Sequence, residues 1–422
     1  MTNTEESSLP GTEPRAARAS AAARPIRVGV LCDFLEERWP SMDVVGEMIS
    51  IHLAGVWSGR LSATRLVPQF HRRAMRMPGL GAKLAWNSDR FVNRFVDYPR
   101  WLRAQSAHYD LFHVVDHSYS QLLHVLPQGT AVVTCHDLDT FRCVLEPRVE
   151  PRPFWFRAMT RRILDGFLKA AHVLAVSEAT RDQLLRYGLF PEPKITVVHN
   201  GVHRSFSAAP DPASDQSLAA MLPAAPGGER YLLNVGSSSP RKRLDVLLRV
   251  FAGVRRQMPA ARLLRVGELT AEQQSLAESL GIAESIVALP FLEREVLAAC
   301  YRRADLLLHT AEAEGFGLPL VEAMACGCPV VASDLPVLRE VGKAEATYCP
   351  VGDVEAWTKS VIGLLQEKAV QPRLWEARRE QALAQSAGFS WERNAGQTAA
   401  IYEEVWRGAS RAWNNNTEGQ MK

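Results

Sequence analysis

DLLLHTAEAEGFGLPLVEAMACGCPVVASD, residues 305–334, carries more of the fold than any other stretch of this chain. Leu306–His309 is a short apolar run, the pattern of a buried strand. A loop with Gly315 and Gly317 follows it. Pro319 stands where a helix begins and Gly327 where it ends. Pro329–Ala332 is a second apolar strand. The order is strand, glycine loop, helix, strand, with Glu314 and Glu322 flanking the helix start. A helix N-terminus offers unpaired N–H groups and a positive dipole end to an anion. Glycines let backbone approach a ligand closely, and a neighbouring carboxylate suits hydroxyls. The stretch reads as a pocket for a phosphate-bearing, polyhydroxyl ligand.

Strand and helix patterns alternate on both sides of it. Strands are expected in the first half at Ile26–Leu31, Leu111–Val115, Ala131–Thr134, His172–Val176 and Ile195–Val198. In the second half they are expected at Tyr231–Val235, Arg262–Val266, Ile286–Leu289, Leu306–His309 and Val330–Ala332. Such alternation predicts an α/β protein with two Rossmann-like, doubly wound parallel-sheet domains facing across a cleft. A chain of 422 residues with 47% hydrophobic content has room for two cores. The expected division is an N-terminal tail (1–24), a first domain (25–206), a linker (207–228) and a second domain (229–387). A C-terminal helix (388–408) and a polar tail (409–422) complete it.

A net charge of +3 gives no general attraction to nucleic acid. Seven cysteines lack paired C-x-x-C spacing, and Cys326 and Cys328 flank Gly327. Buried thiols in a reducing cytoplasm fit this better than zinc or disulfides. The first 24 residues are rich in Ala, Arg, Ser and Pro without an apolar segment, so a disordered tail is expected rather than a signal peptide. No run approaches the ~20 apolar residues of a membrane span.

Glu314 and Glu322 have E-x7-E spacing inside EGFGLPLVEAMACGCPVV. This resembles the donor-site signature of GT-B glycosyltransferases of the family-4 type (glycosyl transferases group 1), which are retaining enzymes. The resemblance spans about Ile26 to Trp406. It implies transfer of a sugar from a UDP-, GDP- or ADP-sugar to an acceptor hydroxyl, with no bound cofactor and no metal. By resemblance Glu322 holds the ribose, Glu314 contacts the donor sugar, and the backbone of Gly315, Phe316, Gly317 and Leu318 serves sugar and phosphate.

NVGSSSPRKRLD, Asn234–Asp245, is a strand end, a small-residue loop and then bases. A cation beside a leaving diphosphate stabilises developing charge. Arg241 and Lys242 match the family's basic pair, and Gly236 opens the loop. Ser237 stands where many members carry another Arg, and Arg243 where Gly or Asn is usual. Gly267 of RVGEL borders the nucleotide in the family, and the backbone near Phe291 and Leu292 faces the base.

The first half is expected to hold the acceptor. His136 and Asp137 end a strand in VVTCHDLD, and the family match has His136 facing the sugar and acceptor. Asp116 and His117 end a neighbouring strand on the same side. The first loop, Cys32–Met48, departs from the family: its one glycine, Gly46, falls inside the next helix. Trp39–Met42 is expected to offer N–H groups instead.

Basic residues interleave with Trp86, Phe91, Phe95, Tyr98 and Trp101, and again with Phe154, Trp155 and Phe156. That composition suits either a core beneath a solvated face or an anionic membrane surface. The acceptor classes left open are a glycan, a lipid-linked saccharide and a small molecule; the expected location is the cytoplasm, with contact at the inner face of a membrane left open. Asp137-Leu138-Asp139 mimics a metal-binding D-x-D, and no G-x-G-x-x-G supports a dinucleotide site. The rival readings are a GT-B scaffold without catalysis and a GT-B nucleotide-sugar epimerase.

Overall fold

A computed structural model describes residues 24–37, 39–55, 57, 59–223 and 229–420. The N-terminal tail, save Arg24, lies outside these residues, as do 224–228 of the expected linker. Two six-stranded parallel sheets form the frame. The first contains β1 (Ile26–Leu31), β2 (Leu61–Leu66), β3 (Leu111–Val114), β4 (Ala131–Cys135), β5 (His172–Ala175) and β6 (Ile195–Val197), in the order β2-β1-β3-β4-β5-β6. The second contains β7 (Arg230–Val235), β8 (Ala261–Val266), β9 (Ile286–Leu289), β10 (Leu306–His309), β11 (Val330–Ser333) and β12 (Thr347–Cys349), in the order β12-β11-β10-β7-β8-β9. The ten expected strands are present within one residue at each end.

Two edge strands escape a reading by apolar runs. In β2, LSATRL, only Leu61 and Leu66 are buried, because one of its neighbours is solvent. β12 has three residues at the opposite edge of the other sheet.

In each sheet the strand order reverses once, between β1 and β3 and between β7 and β10. Crossovers leave these neighbours in opposite directions, which opens a crevice beyond the strand ends. Asn234 Nδ2 donates to Leu308 O at 2.8 Å and ties β7 to β10 just below theirs.

One face of the first sheet is covered by a core that includes Tyr98, Leu122, Ile163 and Phe167. The other packs the helix Pro40–Gly55 and the helix Trp391–Gln420, through Val45, Ile49, Trp391, Ala399 and Tyr402. His113 joins this layer by its Nδ1 to Tyr402 Oη at 2.6 Å and its Nε2 to Thr134 Oγ1 at 2.7 Å. Burial pushes the His113 imidazole down to about 3, so it stays neutral. The helix runs on to Gln420, where a polar tail was expected from 409. No proline interrupts 391–420, and polarity alone does not end a helix.

Within the expected linker, the helix Pro212–Met221 buries Leu218 against the second domain's core, and Arg302 Nη2 meets Asp215 Oδ1 at 2.6 Å. All seven cysteines are buried and free.

Candidate active site

The helix Leu318–Ala325 starts where the sequence placed it. Gly317, its N-cap, has φ 90° and ψ 48°, a left-handed geometry that a side chain disfavours. Gly315 is needed for another reason: a Cβ there would lie 2.0 Å from the carbonyl oxygen of His136. The glycine loop of the second sheet thus touches the end of β4 in the first. Ser177 Oγ reinforces the contact by donating to Gly315 O at 2.9 Å.

The loops after β7 and β10 meet over the crevice of the second sheet. Glu312 N donates to Arg241 O at 2.8 Å, and Thr310 Oγ1 to Lys242 O at 3.0 Å. Lys242 Nζ lies 2.7 Å from Glu314 Oε2, and His309 Nε2 lies 3.9 Å from the same oxygen. Burial works to raise the Glu314 pKa, but Lys242, His309 and Arg241 outweigh it and hold it at about 2. Burial lowers His309 to about 4. Glu314 is therefore an anion held by one ammonium group, and a ligand phosphate can compete for that cation.

Arg241 reaches across the cleft. Its Nη1 is 3.2 Å from Asp137 Oδ2 and 3.0 Å from Asp139 Oδ2. Both carboxylates of the D-x-D thus face a guanidinium. Arg243 takes a left-handed backbone (φ 49°) and turns to Asp245 and Glu312, away from Glu314.

Glu322 accepts from Tyr301 Oη at 2.9 Å. Burial raises its carboxyl to about 7, against the lowering influence of Tyr301 and Arg294. Phe291 leaves 70% of its surface exposed, while Leu292 packs on the core.

Sequence reasoning missed Arg265. It stands on β8 with no exposed surface and, among the described residues, no carboxylate partner. Its Nη1 donates to Val266 O at 2.7 Å, and its Nη2 to Gly236 O at 2.7 Å and Ser238 Oγ at 3.4 Å. Burial lowers it to about 10, which still leaves it charged at neutral pH. The cation therefore lies beneath the Gly236–Ser238 and Gly267 backbone, next to the loop that lacks an arginine at Ser237. The available signal was a charged residue in the middle of the apolar run ARLLRV.

The first sheet's residues are placed differently. His136, expected to face sugar and acceptor, has its Nε2 2.8 Å from Val115 O and is 8% exposed. Burial lowers its pKa and favours the neutral ring. Its backbone carbonyl, not its ring, is what meets Gly315. Asp116 accepts from Ser118 N at 2.8 Å and Ser118 Oγ at 2.6 Å, which caps the turn that begins at His117. His117 is 3% exposed and lies 3.5 Å from Asp116 and 3.8 Å from Asp137. Asp33, at the end of β1, was not anticipated. It is 2% exposed, neither oxygen has a hydrogen-bond partner among the described residues, and burial beside Asp116 pushes its carboxyl well up. Gly46 lies in the helix Pro40–Gly55, where its missing side chain admits Cys32 Sγ.

Glu340 fastens the two halves at a distance from this chemistry. It accepts from Glu178 N at 2.8 Å and Ala179 N at 3.2 Å, at the start of the helix Glu178–Arg186, and pairs with His199 at 2.7 Å. Arg294 and Glu47 form a second bridge.

Residues 223–381 match the family model for glycosyl transferases group 1, and residues 50–206 match that for glycosyltransferase family 4. The chain belongs to this family of GT-B glycosyltransferases. Each half of the GT-B frame is thus matched by its own model. Among curated relatives, the D-inositol 3-phosphate glycosyltransferase of Segniliparus rotundus is 31% identical over 60% of this chain and 57% of its own length. O-antigen chain mannosyltransferase B of Escherichia coli is 27% identical over 65% of this chain and 70% of its own. The chain thus spans little more than half of the first relative. The crystal structure of Anabaena HepE in complex with UDP and glucose superposes with a TM-score of 0.67 at 15% identity, over 90% of this chain and all of that one. At that identity the likeness is one of fold.

Proposed function

We propose that this GT-B protein transfers a sugar from a nucleoside-diphosphate sugar to an acceptor hydroxyl with retention of anomeric configuration, in glycan, polysaccharide or glycolipid synthesis. The observation that carries this is the Lys242–Glu314 pair, set between two loops at the crevice of the second sheet and beside a glycine-capped helix start. Lys242 and Arg241 stabilise the leaving diphosphate, and Arg241 exchanges Asp137 and Asp139 for phosphate oxygens. Glu314, freed from Lys242, accepts from donor-sugar hydroxyls. Glu322 accepts from the ribose, with Tyr301 orienting it. The N–H groups at Phe316–Leu318 face sugar and phosphate. Arg265 adds fixed positive charge below the Gly236–Ser238 loop, in place of the arginine absent at Ser237. The acceptor enters from the side of His136 and Asp137, attacks on the face the diphosphate leaves, and meets a cleft from which domain closure excludes water.

UDP is the first nucleotide to try, since HepE was crystallised with it. Thermal melts with UDP, GDP and ADP, run in EDTA, test the donor half. A nucleotide at ~100 times its dissociation constant adds ~2.7 kcal/mol to the folded state. The expected result is stabilisation by one nucleotide, lost in Glu322→Ala. If no nucleotide shifts the melt, the donor assignment fails. Hydrolysis or epimerisation of the donor without transfer to any acceptor would favour the epimerase alternative.

A further inference from the structure

Phe154 and Trp155 open the helix Phe154–Phe167 and serve neither the core nor the cleft. They are 86% and 67% exposed, and the nearby Val149 is 62% exposed. The helix is already seated through Thr160, Ile163, Leu164 and Phe167, all buried. The Trp155 ring nonetheless has an aromatic neighbour. Trp155 meets Phe156 edge-on at 5.8 Å, and the Arg152 guanidinium lies 5.5 Å over the Phe156 ring.

Residues 148–162 contain five arginines (148, 152, 157, 161 and 162) and one acid, Glu150, for a net charge of +4. Among the described residues only Arg152 of the five forms a salt bridge. This is a surface of protruding aromatic groups ringed by uncompensated positive charge. Such rings enter the boundary between headgroups and acyl chains while arginines stay at headgroup level. A groove that stacks nucleic-acid bases half-covers its aromatic rings, unlike a ring 86% exposed. A second copy of the chain would bring the same +4 against this one.

The layer extends beyond the helix. Tyr98 and Leu102 share a core with Ile163 and Phe167, so the helices near residues 82–105 cover the same face of the first sheet. Most aromatics there, including Trp86, Phe95 and Trp101, pack on that core. Met77, Leu84, Phe91 and Val96 remain more than half exposed among Arg72, Arg76, Lys83, Arg100 and Arg103.

We propose that this outer layer of the first domain, led by Phe154 and Trp155, docks on an anionic lipid bilayer. In a β4–helix–β5 crossover the helix begins on the side where β4 ends. The bond from Cys143 Sγ to Thr160 Oγ1 at 3.6 Å keeps this helix beside the segment that leaves His136 and Asp137. Docking there brings the acceptor side of the cleft to the membrane and makes a lipid-linked saccharide the acceptor class. That last step rests on the transferase function; the docking does not.

The test is co-sedimentation of the full chain, without donor, with phosphatidylcholine vesicles and with vesicles containing roughly 30% phosphatidylglycerol. Wild type is expected on the anionic vesicles, with binding about tenfold or more weaker on neutral vesicles and at high salt. The double variant Phe154→Ser/Trp155→Ser should lose about tenfold or more, as should Arg148→Glu/Arg157→Glu/Arg161→Glu. Val370→Ser, at a distant residue 76% exposed, should bind as wild type. These side chains are exposed, so circular dichroism and melts should not change. Equal binding by the aromatic double variant, or no preference for anionic vesicles, overturns the proposal. So does self-association abolished by that variant without any vesicle binding.

Discussion

At the crevice of the second sheet, between β7 and β10, the charged groups are paired in a way that a ligand can replace. Arg241 and Asp139 keep side-chain exposures of 36% and 40%, and their bond crosses an open cleft. At the corresponding crevice of the first sheet, between β1 and β3, Asp33, Asp116 and His117 are all under 9% exposed. There the bonds to Ser118 serve the turn itself. The same topology therefore supports one crevice with a partly exposed ion pair spanning the cleft and one whose acids and histidine are buried, Asp33 without a partner among the described residues. The difference teaches that strand order locates a crevice, while the loops decide whether side chains face it.

The sharpest challenge to this contrast is Lys242→Ala. If the second crevice carries the chemistry, turnover should fall roughly 100- to 1,000-fold, as for loss of one preorganised donor in other enzymes. Circular dichroism should stay unchanged. Asp116→Asn should cost far less, and equal losses in the two variants would erase the distinction.

Gly315→Val probes whether the two sheets must touch. A Cβ set 2.0 Å from His136 O would hold the halves apart. Activity should drop on the order of 100-fold, because misplacement by about 1 Å carries that penalty. Nucleotide affinity, by calorimetry, should change little. Wild-type turnover would show that the contact is incidental.

Arg265→Met asks whether the hidden cation belongs to the donor site. Nucleotide affinity should weaken about tenfold, the scale of one charge-assisted contact, with partial recovery in Arg265→Lys. Equal affinity in Met and Lys variants, with only the melt lowered, would reduce Arg265 to a structural bolt.

Glu322→Gln gives the smallest effect, and its sign is distinctive. The carboxyl is raised from 4.5 to about 7 in the folded protein. The stability linked to this shift is fully present below pH 4.5 and is lost as pH rises through about 7. Glutamine carries no such dependence. The variant should therefore gain on the order of 1–2 kcal/mol over wild type between pH 5 and pH 8, read from melts at both. A gap that is constant across this range would refute the raised carboxyl.

Most of the frame was legible because buried parallel strands are continuous apolar runs. Ten of twelve strands announce themselves this way, and the two that do not are edges. In the site, EGFGLPLVE and PRK carry their own geometry: a glycine cap, a proline in the first turn and adjacent bases are local instructions. His136 shows where local reading stops. Its position at the end of β4 was right, but the direction of its ring depends on Val115 O, just past the end of β3. Arg265 and Asp33 were passed over because a charge inside or just after an apolar run gives no sign of its partners.

By itself the sequence determined the two α/β halves, the glycine-capped helix at Leu318 and the cations at Arg241 and Lys242. Those properties rest on hydrophobic period and on backbone preferences within a few residues. Only the tertiary structure decided that Lys242 holds Glu314, that Asp137 and Asp139 engage Arg241 across the cleft, that Glu340 caps a helix of the opposite half, and that Phe154 and Trp155 stay outside the core. Each of these joins groups from separate strands or domains, or depends on what else covers a surface. Distance in space and access to water are set by packing, and spacing along the chain does not record them.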